Sequence, residues 1–502
     1  MKISTTLPLL LSLLQPMHAA DRIYVGLSKS GARMDALSVA GASSGSPTVL
    51  LIGGLNGPDD SSQIVTQEVR EYESRKMSGR PFNLLAISVA NPDASQLMFP
   101  PTGAAYRENP EANALWRWIG IHAPDFVLIV GSQYTRLADA LSENIVAGVG
   151  FVPARVVGAK AGILKSMPKD IAFSPAHMEI AKRISRLPQK AAEELAAVYG
   201  HDFDQPTYIP GMALIGQMRL GHVADVEKLV APYVNGTKDP LGARPSSLNL
   251  AGHLVFAELA QRTKDPRYIA MVRKAADLGF TDTGEMKEAM PFHDEMSDSV
   301  FMGTSILVQA GKLTGERKYF DMAARHLAFM QKLDLRADGL YRHSPLTDAA
   351  WARGNAFPSL GLTLTLSDFP KDHTEYQRIL LAYQQLMAAL ARFQDDDGTW
   401  HEVIDEPGSY REFSATAMIG FSMLRGIRNG WLDRGAYQPR VDKAWRAVLA
   451  RIAPEGVLLD VCESTNKQKT LADYVWREAI FDKDPRGGGM ALLFATEMAG
   501  LQ

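Results

Sequence analysis

Two hydrophobic periodicities divide this chain. Between residues 21 and 132, short apolar or β-branched runs at 22–26, 48–52, 84–89 and 126–130 alternate with helix-like stretches at 61–76 and 109–122. Strands interleaved with helices predict an α/β sheet. Residues 133–175, rich in Ala, Gly, Val and Lys, read as an irregular connection. From about residue 174 strand signals almost vanish. Apolar positions then recur at helical spacing over 178–198, 212–230, 248–262, 268–278, 300–313, 319–333, 359–366, 375–393, 415–430, 437–452 and 489–501. Phe320, Ala323, Ala324, Leu327 and Met330 form one such stripe. Gly311, Gly339, Gly398 and Gly430 supply stops between helices. Short connections without a fixed-period sequence repeat favour a closed toroid, an (α/α)6 barrel, over an open solenoid. The expected organisation is multidomain, with an α/β domain over 21–170 and an all-α (α/α)6 barrel over 171–502.

The first twenty residues stand apart. Lys2 gives a basic start, Leu7 to Leu14 a short apolar core, and His18-Ala19-Ala20 a small-residue exit. That run is too short to span a bilayer and predicts a cleavable signal over 1–20, hence export to the periplasm or beyond. No later segment is apolar and long enough for a membrane span. Cys462 is the only cysteine, so no disulfide forms within the chain. A net charge of -3 over 502 residues gives no electrostatic case for nucleic acid.

Polar clusters sit between the helical segments of the second half. His293-Asp294-Glu295-Met296-Ser297-Asp298 precedes an apolar helix. Leu340-Tyr341-Arg342-His343, Trp351-Ala352-Arg353-Gly354-Asn355 and Asp397-Gly398-Thr399-Trp400-His401 follow. A toroid that gathers its loops at one end would merge these into one polar pocket suited to a carbohydrate. Asp298 is the candidate acid, and Asp294 or Glu295 could raise its pKa, or could point outward. Its alternative role is a helix N-cap. Arg353 could fork onto a carboxylate or pair with a neighbouring acid. His343 and His401 could face the site or be satisfied loop histidines. Trp351 and Trp400 could stack on sugar rings or pack the barrel.

The pieces Met296-Ser297-Asp298-Ser299-Val300-Phe301-Met302, Leu340-Tyr341-Arg342-His343, Trp351-Ala352-Arg353-Gly354-Asn355, Asp397-Gly398-Thr399-Trp400-His401-Glu402-Val403 and Asp484-Pro485-Arg486-Gly487-Gly488-Gly489 resemble, in order and spacing, the unsaturated glucuronyl and rhamnogalacturonyl hydrolases of glycoside hydrolase family 105. The resemblance implies an (α/α)6 barrel and an unsaturated oligosaccharide substrate, with no cofactor and no metal. It implies hydration of a uronate C4–C5 double bond with Asp298 as general acid and base. Implied substrate contacts are His343 and Arg353, with Tyr208, Trp351, His401 and His293 as further candidates. Two positions depart from the pattern. Pro245-Ser246-Ser247-Leu248-Asn249-Leu250-Ala251-Gly252 lacks an aspartate the family carries there, and Tyr208 stands where a tryptophan is usual.

The first half resembles, more faintly, the zinc carboxypeptidase fold, through Val25-Gly26-Leu27-Ser28-Lys29-Ser30-Gly31-Ala32-Arg33 and Val49-Leu50-Leu51-Ile52-Gly53-Gly54-Leu55-Asn56-Gly57-Pro58-Asp59. Asn56 and Asp59 occupy the places of its His and Glu ligands, and Gly131-Ser132 offers no third ligand, so no catalytic zinc is expected. Two alternatives stay open for the barrel: an ordinary glycosidase pairing Asp298 with Glu402 or Glu412, and a carbohydrate-binding protein without catalysis.

Overall fold

A computed structural model describes residues 20–131, 135–168 and 170–501. The signal predicted for 1–20 lies, apart from Ala20, outside the described residues, and so does Ser132.

The first half is one mixed sheet with helices on both faces. Its strands are β1 (Asp21–Leu27), β2 (Arg33–Val39), β3 (Thr48–Ile52), β4 (Asn83–Ile87), β5 (Phe126–Val130) and β6 (Ala154–Val157), in the spatial order β1-β2-β4-β3-β5-β6. β4, β3, β5 and β6 run parallel, and β1 and β2 form the antiparallel edge. Val49, Leu50, Leu51 and Ile52 are all fully buried, the continuous apolar run that a strand covered on both faces requires. Alternation sorts them: Val49 and Leu51 join Val65, Val69 and Tyr72 of α1 (Asp60–Glu73). Leu50 and Ile52 join Leu115, Trp118 and Ile119 of α2 (Pro110–His122). The stretch read as irregular holds α3 (Thr135–Glu143) and the short edge strand β6. Neither β6 nor β2, which follows a tight turn at Ser28–Gly31, shows a long apolar run.

The second half is helical: α4 (Pro175–Ile184), α5 (Pro188–Ala196), α6 (Tyr208–Arg219), α7 (Val223–Val234), α8 (Ser247–Gly252), α9 (Leu254–Thr263), α10 (Pro266–Ala276), α11 (Ser299–Thr314), α12 (Arg317–Asp334), α13 (Ala352–Asp368), α14 (Tyr376–Ala391), α15 (Phe413–Arg428), α16 (Arg434–Arg451), α17 (Leu471–Val475) and α18 (Pro485–Met498). An inner ring closes through α6, α8 with α9, α11, α13, α15 and α18, the last packing back on α6. Around it α7 lies on α6, α10 on α9, α12 on α11, α14 on α13, α16 on α15 and α5 on α18. This is the expected α/α barrel. Pro188 splits the predicted 178–198 helix, because its ring cannot continue the preceding turn. The predicted 359–366 helix is only the tail of α13. A helix buried on nearly every side loses its amphipathic period, and Arg353, Asn355, Ser359 and Thr363 all turn inward. α13 approaches α11 so closely that a Cβ on Gly361 would lie 2.6 Å from the Val300 carbonyl oxygen.

The inner helices run in one direction. Their C-terminal ends meet around a cavity of about 530 Å³ lined by Arg219, Arg262, Lys312, Asp368, Arg425 and Arg428. The cations there complement the negative ends of the helix dipoles. The N-terminal ends therefore gather at the opposite mouth, with Tyr208, Asp298, Arg353, Glu412 and Asp484 in or beside their first turns.

The sheet half sits on the barrel through buried charge. Asp460 receives both Arg117 and Arg451, and Arg451 also donates to the Ala147 carbonyl at 3.0 Å. Tyr106 stacks on Tyr410 with centroids 4.6 Å apart.

Candidate active site

Asp298 stands at the N-cap position of α11, yet its side chain makes no capping bond. Its Oδ1 is buried without a hydrogen-bond partner, 3.5 Å from His343 Nε2, which also has no other partner. Burial pushes the carboxyl up to about 7, against the pull of the Arg353 cation. Asp294 and Glu295 are exposed, and Glu295 turns to Lys467 at 3.5 Å, so burial rather than these neighbours raises Asp298. The loop into Asp298 is strained: Phe292, Asp294 and Glu295 hold φ of 65°, 49° and 55°, each at a cost on the order of 1 kcal/mol for a residue with a Cβ.

His343 is fully buried, and burial together with Arg353 and Lys467 holds it down at about 3, hence neutral. Its Nδ1 lies 2.8 Å from the Tyr474 hydroxyl. Trp351, 1% exposed, lies against the imidazole with centroids 4.4 Å apart, so it backs the site from behind. Its indole N–H donates to Glu402 Oε1 at 2.8 Å.

Arg353 is 2% exposed and forms the floor. It donates to the Cys462 and Glu463 carbonyls, at 2.6 Å each, lies over the Trp351 ring at 4.7 Å, and has Glu412 at 3.9 Å. Glu412 caps α15, accepting from Ser414 and Ala415, and also receives the Cys462 amide at 2.9 Å. Glu402 is wholly buried; burial, then the charge of Glu412, raises it to about 8. Cys462 donates its thiol to Glu402 at 3.0 Å, and burial pushes that thiol well above its ordinary value, which keeps it unreactive.

The other candidates differ in what holds them. Tyr208 opens α6, packs edge-on against Phe301 and Phe357, and feels the charges of Arg353 and Asp298. His293 packs on Phe329 and lines a cleft of about 570 Å³ with Lys287, Glu295 and Lys467. His401 is not part of the pocket: its Nδ1 lies 2.5 Å from the Ser409 carbonyl and its Nε2 3.0 Å from Asp395, which also holds Arg411. Trp400 is core, its N–H donated to the Leu390 carbonyl. In the sheet half, Asp59 is spent on capping α1. Arg107 reaches across to Glu463, the residue whose carbonyl holds Arg353.

Two residues of the site carry no motif. Asp334 ends α12 fully buried, with both carboxylate oxygens unpartnered. Burial raises it to about 8; Arg342 opposes this, while Asp298 and Glu295 add to it. An acid in the last turn of a helix opposes the dipole, and that anomaly was the available signal. Tyr474 gave no signal, since nothing in its spacing links it to His343.

The family model described as Glycosyl Hydrolase Family 88 matches residues 219–502, more than half of the chain. An unsaturated 3S-rhamnoglycuronyl hydrolase of Formosa agariphila is 34% identical over 103 residues, 20% of this chain and 26% of that protein. The unsaturated rhamnogalacturonyl hydrolase YesR of Bacillus subtilis is 25% identical over 214 residues, 40% of this chain and 59% of that protein. The chain thus spans less than two thirds of the length of these curated relatives. Among solved structures, a possible member of the GH105 family from Salmonella enterica superposes with a TM-score of 0.53 at 22% identity, covering 68% of this chain and 98% of that one. A family 105 glycoside hydrolase of C. acetobutylicum gives 0.52 at 19% identity, covering 62% and 99%. These two likenesses establish the fold of the barrel. Through the match over residues 219–502, the chain belongs to Glycosyl Hydrolase Family 88.

Proposed function

We propose that this protein releases a 4,5-unsaturated uronate from oligosaccharides left by polysaccharide lyases, by hydrating the double bond. The Asp298 carboxyl gives its proton to C4, the double-bond electrons form the new C–H bond, and C5 becomes an oxocarbenium. Water adds at C5 and returns a proton to the Asp298 carboxylate. The hemiketal opens to a ketone at C5, leaving the former ring oxygen as a hydroxyl on C1. That hemiacetal collapses to an aldehyde, and the neighbouring sugar departs with the glycosidic oxygen.

One observation carries the reading: Asp298 is a carboxyl that holds its proton close to neutral pH, with a buried, unpartnered oxygen facing a neutral histidine. Arg353, below it, draws the uronate carboxylate to the site through its charge. A conventional glycosidase would need a second carboxylate free to act. Glu412 is occupied as a helix cap and Glu402 is sealed behind Trp351, which favours hydration. The relatives' names, rhamnoglycuronyl and rhamnogalacturonyl hydrolase, favour a rhamnose-containing substrate.

We read the first half as a carboxypeptidase-like module without zinc ligands that braces the barrel mouth, supported by the capping role of Asp59 and the contact of Arg107 with Glu463. Export through residues 1–20 fits a substrate of extracellular origin.

The test is turnover of lyase-generated unsaturated disaccharides, followed by the ultraviolet absorbance of the C4–C5 double bond, with saturated counterparts alongside. Absorbance should disappear and the saturated sugars should survive. Cleavage of the saturated sugars, or no loss with pectin-, ulvan- and glycosaminoglycan-derived substrates, would overturn the proposal.

A further inference from the structure

Tyr474 lies in α17, within the segment that follows Cys462, and meets His343. Its hydroxyl has two polar neighbours, the Gln468 amide at 3.0 Å and His343 Nδ1 at 2.8 Å. A backbone amide only donates, so the hydroxyl oxygen accepts from Gln468 and its own proton is left for His343 Nδ1. The reverse arrangement, with Nδ1 donating, would leave the buried hydroxyl proton facing no acceptor, which is costly. A neutral imidazole has one N–H, and with Nδ1 accepting, that N–H lies on Nε2. Nε2 lies 3.5 Å from Asp298 Oδ1 with no hydrogen bond formed between them, and neither atom has a partner elsewhere. The ring has no room to turn, being fully buried against Trp351 and Tyr474.

Resting on the hydration reaction proposed above, we infer that Tyr474 is a positioning residue: it fixes His343 as the Nε2–H tautomer, whose N–H faces the unpartnered Asp298 Oδ1, closes on it when substrate binds, and leaves Oδ2 to carry the proton given to the substrate. Without the phenol, the Nδ1–H tautomer becomes accessible. It presents a lone pair to Oδ1, and the Asp298 proton is then drawn into an Oδ1–H···Nε2 bond, away from the sugar. Facing this pair are Arg353 of α13 and Lys467, both cations that keep the imidazole neutral, and Asp334 of α12, whose carboxyl feels the charge of Asp298.

The test is nitrogen-15 NMR of the full-length protein labelled at histidine, with His343 assigned by its loss in His343→Asn. In the wild type near pH 7, His343 should show a protonated Nε2 and a hydrogen-bonded, unprotonated Nδ1. In Tyr474→Phe the signals should move towards a mixture of tautomers. With an unsaturated disaccharide, kcat should fall about tenfold, with KM within about twofold. A wild-type His343 that is cationic or protonated on Nδ1 would overturn the assignment, as would Tyr474→Phe with wild-type tautomer and kcat. Beyond the His343→Asn assignment, the wild-type spectrum needs neither substrate nor the Tyr474 variant. It therefore decides the tautomer even if the variant fails to fold, and separately from any failure of the hydration chemistry.

Discussion

His343 Nε2 lies 3.5 Å from Asp298 Oδ1, and neither buried atom has a hydrogen-bond partner. This pair ties the motif before α11 to the motif before α13. Around it the barrel supplies a dry wall in Trp351, a cation in Arg353 and the N-terminal ends of six parallel inner elements. The carboxyl is buried enough to keep its proton, yet 14% of its side chain stays open to a ligand.

Activity should fall as pH rises through about 7. Asp298 acts as an acid in its protonated form, and burial lifts it to about 7, so the competent fraction is lost above that value. A profile of kcat/KM on the unsaturated substrate should show a basic limb with its midpoint near pH 7. A rate still rising between pH 7 and 9 would contradict this.

Stability should also fall on the alkaline side. Asp298, Asp334 and Glu402 are raised to about 7, 8 and 8, so above the ordinary carboxylate range the folded state holds protons the unfolded chain has released. Stability then declines as pH rises, until these groups ionise. His122, His253, His326 and His343 are lowered to about 4, 4, 4 and 3, so they act in the opposite sense below about pH 6.5 and nearly cancel the carboxyls there. The net decline should therefore appear between about pH 6.5 and 8.5. Calorimetry should give a lower Tm at pH 8.5 than at 6.5, and Glu402→Gln, which mimics the neutral acid, should lessen the drop.

Arg353→Lys should damage both fold and catalysis. Lysine keeps the charge, but its single ammonium cannot reproduce the planar fork onto the Cys462 and Glu463 carbonyls or the stacking on Trp351. A loss of about 2–4 kcal/mol is expected in denaturant unfolding, with kcat/KM down at least about 100-fold. Unchanged stability would mean that the floor is not built on this guanidinium.

Closely approaching inner helices should not tolerate added volume. Gly361→Ala places a methyl 2.6 Å from the Val300 carbonyl, just below Asp298, and should cost about 1–3 kcal/mol. Thermal unfolding checks it, and a Tm equal to the wild type would show that α11 and α13 part freely.

The barrel was legible because most of its helices keep an apolar stripe, and Asp298, His343 and Arg353 because they lie in short motifs of fixed order. What escaped has physical causes. α13 is buried almost all round, so its first turns, Arg353 included, carry no period and read as loop. Asp334 ends an otherwise ordinary amphipathic helix, where an acid opposing the dipole is a weak sign and burial without partners is visible only in the fold. Tyr474 meets His343 across 131 positions of sequence, beyond any local pattern. His401 read as a site candidate because it ends the polar cluster Asp397-Gly398-Thr399-Trp400-His401, but Asp395 and the Ser409 carbonyl hold both its nitrogens.

The most direct measurement is Asp298→Asn beside the wild type on one unsaturated disaccharide, with absorbance and released sugar recorded together. The asparagine keeps the shape and removes the transferable proton. Absorbance loss and sugar release should proceed together in the wild type and both fall by at least about 100-fold in the variant. A variant that still consumes the double bond at the wild-type rate would contradict Asp298 as the acid of this site.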